Sequence, residues 1–344
     1  MKYQTSKHQS RLMDYLWMPH LISFKEEQIE LTGAEKEAFA DVLKDIADLQ
    51  TMFQPFKDRI QQYFLVHSMN SFMETLYIEV LESGRDPQSF EDLSKLFKSL
   101  SEKSLQSVFF RWVSLEGNPV ATEDQLLFTL DDWETTPENK WQIYWSYRNI
   151  SQMLEEMLAL YRDLLPLYQP YYEKYEPEVD QMIEDLDIEA IYQDSPLNVL
   201  KLIKDSQADR CKVFVWSSLN FINKLMVNNP QEEKVVYLSL FPRTEYFLKH
   251  RLDFNLELFD IVVKAISDPV RYQILKLLQA GDLMNKEIAQ QLNITSANVS
   301  FHVQKLIHAQ LVSFKEVVQG KAKYQLNRPL LKKVLEQIQH DFRL

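Results

Sequence analysis

If the stretch SANVSFHVQKL is helical, Val299, Val303 and Leu306 fall on one side at i, i+4 and i+7, leaving Ser296, Ala297, Asn298, Ser300, Phe301, Gln304 and Lys305 elsewhere. A face that only meets water usually carries Glu and Lys. This one carries small hydroxyl and amide groups, with a single lysine at its edge. Such side chains can approach base edges and phosphates closely. Asn and Gln match the donor and acceptor that adenine presents in the major groove. The chemistry expected of these residues is recognition.

The neighbouring sequence supplies what such a helix needs. Asp268-Pro269 is a compact helix start, with a carboxylate at the cap and proline where the missing N–H costs nothing. That helix is expected to run to Gly281, with Val270, Ile274, Leu277 and Leu278 on one face and Arg271 and Lys276 off it. NKEIAQQL (285–292) reads as a second short helix, capped by Asn285, with Ile288, Ala289 and Leu292 inward. Asn293 suits the left-handed residue of a tight helix-to-helix turn, and Thr295 can cap the helix that follows. The arrangement is a helix-turn-helix. Downstream, LVSFKEVVQGKAKYQLN (311–327) alternates on either side of Gln319-Gly320 as a β-hairpin does, with Lys315, Gln319, Lys321 and Lys323 expected around its tip. A basic hairpin in that position reads as a wing for the DNA backbone or minor groove.

Charge agrees. The 344-residue chain carries a formal net charge of −12, yet from Phe259 onward 12 Lys and Arg face 7 Asp and Glu. A mildly basic carboxyl-terminal module on an acidic body suits phosphate contacts, because screening leaves remote charge with little influence.

The run from about Val263 to Leu330, roughly a quarter of the chain, resembles the winged-helix domain of the ArsR family of bacterial transcriptional regulators. That family's Ser-Asp-Pro-x-Arg is matched by Ser267, Asp268, Pro269 and Arg271. Its Val-Ser-x-His-Leu is matched by Val299, Ser300 and His302, with Val303 in place of leucine, and a common turn glycine is Asn293 here. The resemblance implies a homodimer on a palindromic double-stranded DNA operator, with dimer contacts from the helix near Leu256–Ile266 and from the last helix. The thiols of the arsenic- and cadmium-sensing members are absent from GDLMNKE (281–287), and His340 and Asp341 lack a second histidine at zinc-ligand spacing, so no metal site is expected. His302, beside the buried valines, is expected to make a hydrogen bond between helices instead of reading a base.

Residues 1–250 form the other expected domain, mainly helical, before the winged helix-turn-helix of 251–344. GAEKEAFADVLKDIADLQTMF (33–53) and NKWQIYWSYRNISQMLEEMLALYRDLL (139–165) show apolar spacing of three and four. Gly84, Pro87, Gly117, Pro119, Pro137, Pro166, Pro170 and Pro177 are expected boundaries. CKVFVW (211–216) and KVVYLSLF (234–241) predict a small sheet. RLDFNLEL (251–258) lacks a Gly/Ser/Pro-rich hinge, so the two parts are expected to pack together. Some long ArsR-like regulators carry a helical region of similar size here, and two roles stay open for it: sensing a small effector, or assembly with other proteins. The aromatic cluster LYQPYYEKYEPE (167–178), with Trp141, Trp145 and Trp216, could line a ligand pocket or could be ordinary core and surface of a helical domain, and the effector-binding residues are left unassigned. Seven scattered histidines, no phosphate-binding glycine loop and no serine elbow give no support to an enzyme, and no cofactor is expected. Lone Cys211 excludes an internal disulfide and reads as a small buried hydrophobe. With no signal-peptide core and no membrane-length apolar run, a cytoplasmic protein is expected.

Overall fold

The computed structural model describes residues 2–343 except 26–30, 65–70, 115–119, 132–135, 194, 196, 221–223, 229–234, 245, 247, 249–253, 295 and 319–320; at 224–228, 297, 317–318 and 321–322 only the backbone is described. The chain opens with β1 (Lys2–Thr5) and α1 (Lys7–Trp17), followed by α2 (Gly33–Ala38), α3 (Ala40–Phe53), α4 (Lys57–Tyr63), α5 (Phe72–Glu82), α6 (Phe90–Lys98), α7 (Glu102–Ser114), α8 (Glu123–Asp131) and α9 (Pro137–Arg148). Local chemistry sets several of these starts. Thr32 and Ser71 accept from the amides of Glu35 and Glu74, whose carboxylates return to the cap amides, so two orphan donors are satisfied at each end. Ser89 and Thr136 cap α6 and α9 with their hydroxyls.

Some expected boundaries are corrected. Pro137 opens α9, and Gly84 (φ 78) ends α5 in the left-handed conformation. Gly117 and Pro119 lie outside the described residues. Pro166, Pro170 and Pro177, however, are inside one 35-residue helix, α10 (Ile150–Glu184). All three are exposed, whereas Leu164, Tyr168, Tyr172, Tyr175 and Val179 bury the opposite side. Each proline removes one i to i−4 bond on the wet face, where water can hydrate the freed carbonyl, and the buried stripe holds the helix through the break.

After α11 (Ile188–Tyr192) and α12 (Val199–Asp205) come β2 (Arg210–Val215), β3 (Lys224–Asn228) and β4 (Val235–Leu240). The strand order is β1-β2-β4-β3, with β1, β2 and β4 parallel and β3 antiparallel to β4. Phe214, Val235 and Tyr237 turn toward the helical core, while Cys211, Val213, Val215, Val236, Leu238 and Leu240 face a second cluster with Val179, Ile188, Tyr192 and Ile203. Both faces are covered, which explains the near-continuous apolar runs. Cys211 is fully buried, and burial pushes its thiol up to about 12.

For the tyrosines of this cluster and for Trp216, packing favours the ordinary core over a ligand pocket. Tyr168, Tyr172, Tyr175 and Trp216 are fully buried, and Tyr15 meets Tyr168 and Tyr172 edge-on. Asp14 ties this core to the end of β2: its carboxylate accepts from the Tyr168 hydroxyl, from the Ser217 amide at 2.6 Å and from Asn220 Nδ2 at 2.9 Å. The tyrosines are structural members, not walls of a cavity. Trp141, by contrast, is 63% exposed on α9.

The carboxyl-terminal module comprises α13 (Leu256–Ile266), α14 (Pro269–Ala280), β5 (Leu283–Met284), α15 (Asn285–Leu292), α16 (Ser296–His308), β6 (Val312–Val318), β7 (Lys321–Leu326) and α17 (Arg328–Phe342). It has its own apolar cluster, from Leu258 and Ile261 to Leu330 and Val334. Polar contacts join it to the body: Asn198 Nδ2 donates to the Phe314 carbonyl at 2.9 Å, and the Ala34 amide donates to Glu257 Oε1 at 3.4 Å. The fold is mainly α, a large helical region with a small sheet followed by a winged helix-turn-helix. No helix among the described residues is long and apolar enough to cross a membrane.

Candidate nucleic-acid interface

The Asp268 carboxylate accepts from the Arg271 amide at 2.9 Å and starts α14 at Pro269, as its cap chemistry dictates. Arg271 departs from expectation. Instead of lying off the apolar face it is buried, with Nη2 donating to the Lys264 carbonyl at 3.2 Å, so the guanidinium ties α14 to the end of α13. Lys276 is exposed.

Asn285 is not the cap of α15. The helix start is closed by Glu287, whose Oε2 accepts from the Met284 amide at 2.7 Å, and this frees Asn285 to donate from Nδ2 to Ser300 Oγ at 2.7 Å. α15 ends at Asn293, which is left-handed at φ 53 and ψ 47. The Ile294 amide returns to the Ala289 carbonyl at 3.1 Å, closing the helix end while Ile294 packs on the module's core. Thr295 lies outside the described residues.

In α16, Val299, Val303 and Leu306 are fully buried against the core that holds Ile274 and Ile288. That buried line turns the other side outward. Asn298 is exposed, Phe301 is 44% exposed, and Ser296, Ser300, Gln304 and Lys305 are half-buried. Lys305 Nζ lies 5.2 Å from the Phe301 ring centroid, so the apolar ring and the cation form one patch. The Ser300 hydroxyl accepts from Asn285, which ties it to the start of α15. The Ala297 side chain is outside the described residues.

His302 sits half-buried with Nδ1 3.7 Å from Asp268 Oδ1, too far for the expected hydrogen bond but within reach of charge. Burial holds the imidazole below its ordinary pKa, against the pull of Asp268. For Asp268 burial acts upward, but the Arg271 amide and the Arg271 and His302 charges outweigh it and leave the pKa lowered.

β6 and β7 form the expected antiparallel hairpin, with Val318 opposite Lys321. Gln319 lies outside the described residues, as does the Lys321 side chain. Of the other lysines expected at the tip, Lys323 is paired with Glu316 at 3.6 Å. Lys315 is corrected: a bulge between Phe314 and Glu316 takes it out of register, and it lines a cavity at the hairpin's base with Asn198, Ser313 and Gln325. The residues that sequence reasoning missed act through tertiary contacts. Neither the Asn285 bond to Ser300 nor the burial of Arg271 has a local signature, although Glu287 at the third helical position is a readable hint that Asn285 is not needed as a cap.

A model for a helix-turn-helix domain matches residues 266–313. The transcriptional repressor SdpR of Bacillus subtilis (strain 168) is 44% identical over 52 residues, which are 15% of this chain and 58% of SdpR. The chain therefore spans little more than half the length of that curated relative.

Proposed function

We propose that this chain is a sequence-specific transcriptional regulator that binds palindromic double-stranded DNA as a homodimer. The observation that carries the reading is the division of α16 into a side locked in the core by Val299, Val303 and Leu306 and an outward side with Asn298, Phe301 and Lys305. Asn298 and Gln304 have the chemistry to read adenine, Phe301 to meet a thymine methyl, and Lys305 and the wing lysines Lys321 and Lys323 to meet phosphate. Similarity to SdpR, a transcriptional repressor, supports the same reading. The dimer is supported by exposed apolar side chains on the two helices expected to pair: Leu256 and Val263 on α13, Leu335 and Phe342 on α17. Selection of binding sites from random duplex DNA with the purified chain tests this. It should return two inverted half-sites about one helical turn apart; enrichment of a single unrepeated half-site by a monomeric protein would refute the dimer, and no enrichment would refute specific recognition.

For the amino-terminal domain, control by a small effector is the reading we favour, although not through the buried tyrosines. Exposed Leu127 and Phe128 on α8 and Trp141 on α9 favour a second role, docking of another protein. Operator affinity that responds to a metabolite supports the first; operator affinity that changes only with a protein partner supports the second.

A further inference from the structure

The cavity at the hairpin's base has a volume of about 520 Å³, within the size range of small-molecule sites. Its lining mixes Leu278, Leu326 and Pro329 with polar groups. Ser313, Lys315 and Gln325 come from one side of the hairpin, Arg328 from the start of α17, Asp282 from beyond α14, and Asn198 from the amino-terminal body. The bulge has a specific consequence for charge. Phe314 pairs with Tyr324 and Glu316 with Lys323, so Lys315 has no residue opposite it, while Glu316 already serves Lys323. Among the described residues Lys315 makes no ion pair. Arg328 gives Nη2 to the Gln279 carbonyl at 2.7 Å, and among the described residues it meets no carboxylate. Two cations that make no ion pair among the described residues line one recess, and exposed Asp282 is the single acid among its lining residues.

Local positive charge of this kind, backed by a hydroxyl and side-chain amides and with no aromatic wall, suits an oxyanion and not a flat apolar ligand. We propose that the cavity binds a small polar anion, a carboxylate- or phosphate-bearing solute, through Lys315 and Arg328. The same recess contains Asn198, whose amide holds the Phe314 carbonyl one residue before the bulge. An occupant that engages Lys315 and Asn198 together therefore acts on the tether between body and wing, and it changes DNA affinity by as much as it prefers one wing position over the other. Binding stands by itself; the effect on DNA rests on the proposed regulator function.

The test uses the full chain without DNA, titrated calorimetrically with inorganic phosphate and with citrate against sodium chloride of matched ionic strength. Saturable binding of one probe is expected, weakened at least tenfold by Lys315→Gln with Arg328→Gln, retained by Lys315→Arg, and unchanged by Lys332→Gln on the exposed side of α17. The tighter probe identifies phosphate or carboxylate as the preferred group. Circular dichroism establishes that the double variant folds. Absence of saturable binding by both probes, or equal loss in Lys332→Gln, would overturn the site in favour of diffuse charge. Fluorescence anisotropy on the selected operator then separates the two ideas: a probe that binds and shifts operator affinity supports both, while a chain that binds the probe and no DNA keeps the site and sinks the regulator reading.

Discussion

Asn293 holds the turn between α15 and α16 in a conformation that L residues avoid, at φ 53 and ψ 47. A Cβ in that region costs roughly 1–2 kcal/mol, of which asparagine recovers part through local hydrogen bonding and glycine pays none. Replacing Asn293 by Gly should therefore change the module's stability by no more than about 0.5 kcal/mol, because relief of strain is offset by the freer unfolded chain. Asn293→Ala should lose about 1 kcal/mol, and Asn293→Val about 2 kcal/mol, since a branched Cβ crowds the left-handed backbone further. Tryptophan emission cannot follow this, because all six tryptophans precede residue 217. Hydrogen exchange of α14 and α16 can. Where amides exchange through opening of the whole module, a loss of about 2 kcal/mol accelerates exchange by roughly 30-fold, and about 0.5 kcal/mol by roughly twofold. Glycine and valine variants that exchange equally fast, or a valine variant that matches the parent, would refute the argument that the left-handed turn sets the helix-turn-helix.

Asn298→Ala or Gln304→Ala should cost about 1–3 kcal/mol of operator affinity and relax preference at one base pair, whereas Lys321→Ala should weaken binding to every sequence and flatten its salt dependence; site selection with each variant checks this. The folded state holds His302 below its ordinary pKa, so its contribution is complete above the unfolded value of roughly 6.5 and is lost as pH falls through the lower folded one. Exchange of α16 should quicken over that window, and His302→Gln should remove most of the change. Asp14 has the opposite sign: burial raises its pKa despite the bonds from Tyr168, Ser217 and Asn220, so its contribution is full in acid and is lost as pH rises through the folded value. Asp14→Asn should flatten that slope in urea melts followed by tryptophan emission, while Asp14→Ala, which strands three buried donors, should lose roughly 2–4 kcal/mol.

The module was legible because its signals are local: a cap and a proline at Asp268-Pro269, an asparagine where a left-handed residue is needed, and a line of valines at helical spacing. The strands 210–215 and 235–240 were legible as strands because burial on both faces makes them apolar throughout. Less readable was whatever depends on distant partners. KYQT gives no sign of pairing with β2, and the prolines of α10 look like helix ends until the buried tyrosine stripe opposite them is seen. Arg271 looks like a surface cation, and Lys315 looks like part of the wing tip until the bulge displaces it.

The parallel pairing of Lys2–Thr5 with Arg210–Val215, itself flanked by Val235–Leu240, also sets a timetable for synthesis. Residues Lys2–Thr5 wait for most of the body to be translated before their strand has a neighbour, and closing so long a loop is slow compared with forming the intervening helices. The helices can gather early, but the sheet cannot close until β2 and β4 have emerged. Within the winged module β6 and β7 pair across a turn, and even β5 and β7 lie far closer in the chain than Lys2–Thr5 does to Arg210–Val215. The β6–β7 hairpin can therefore close soon after it is made, whereas the strand Lys2–Thr5 is secured only once its distant partner has emerged.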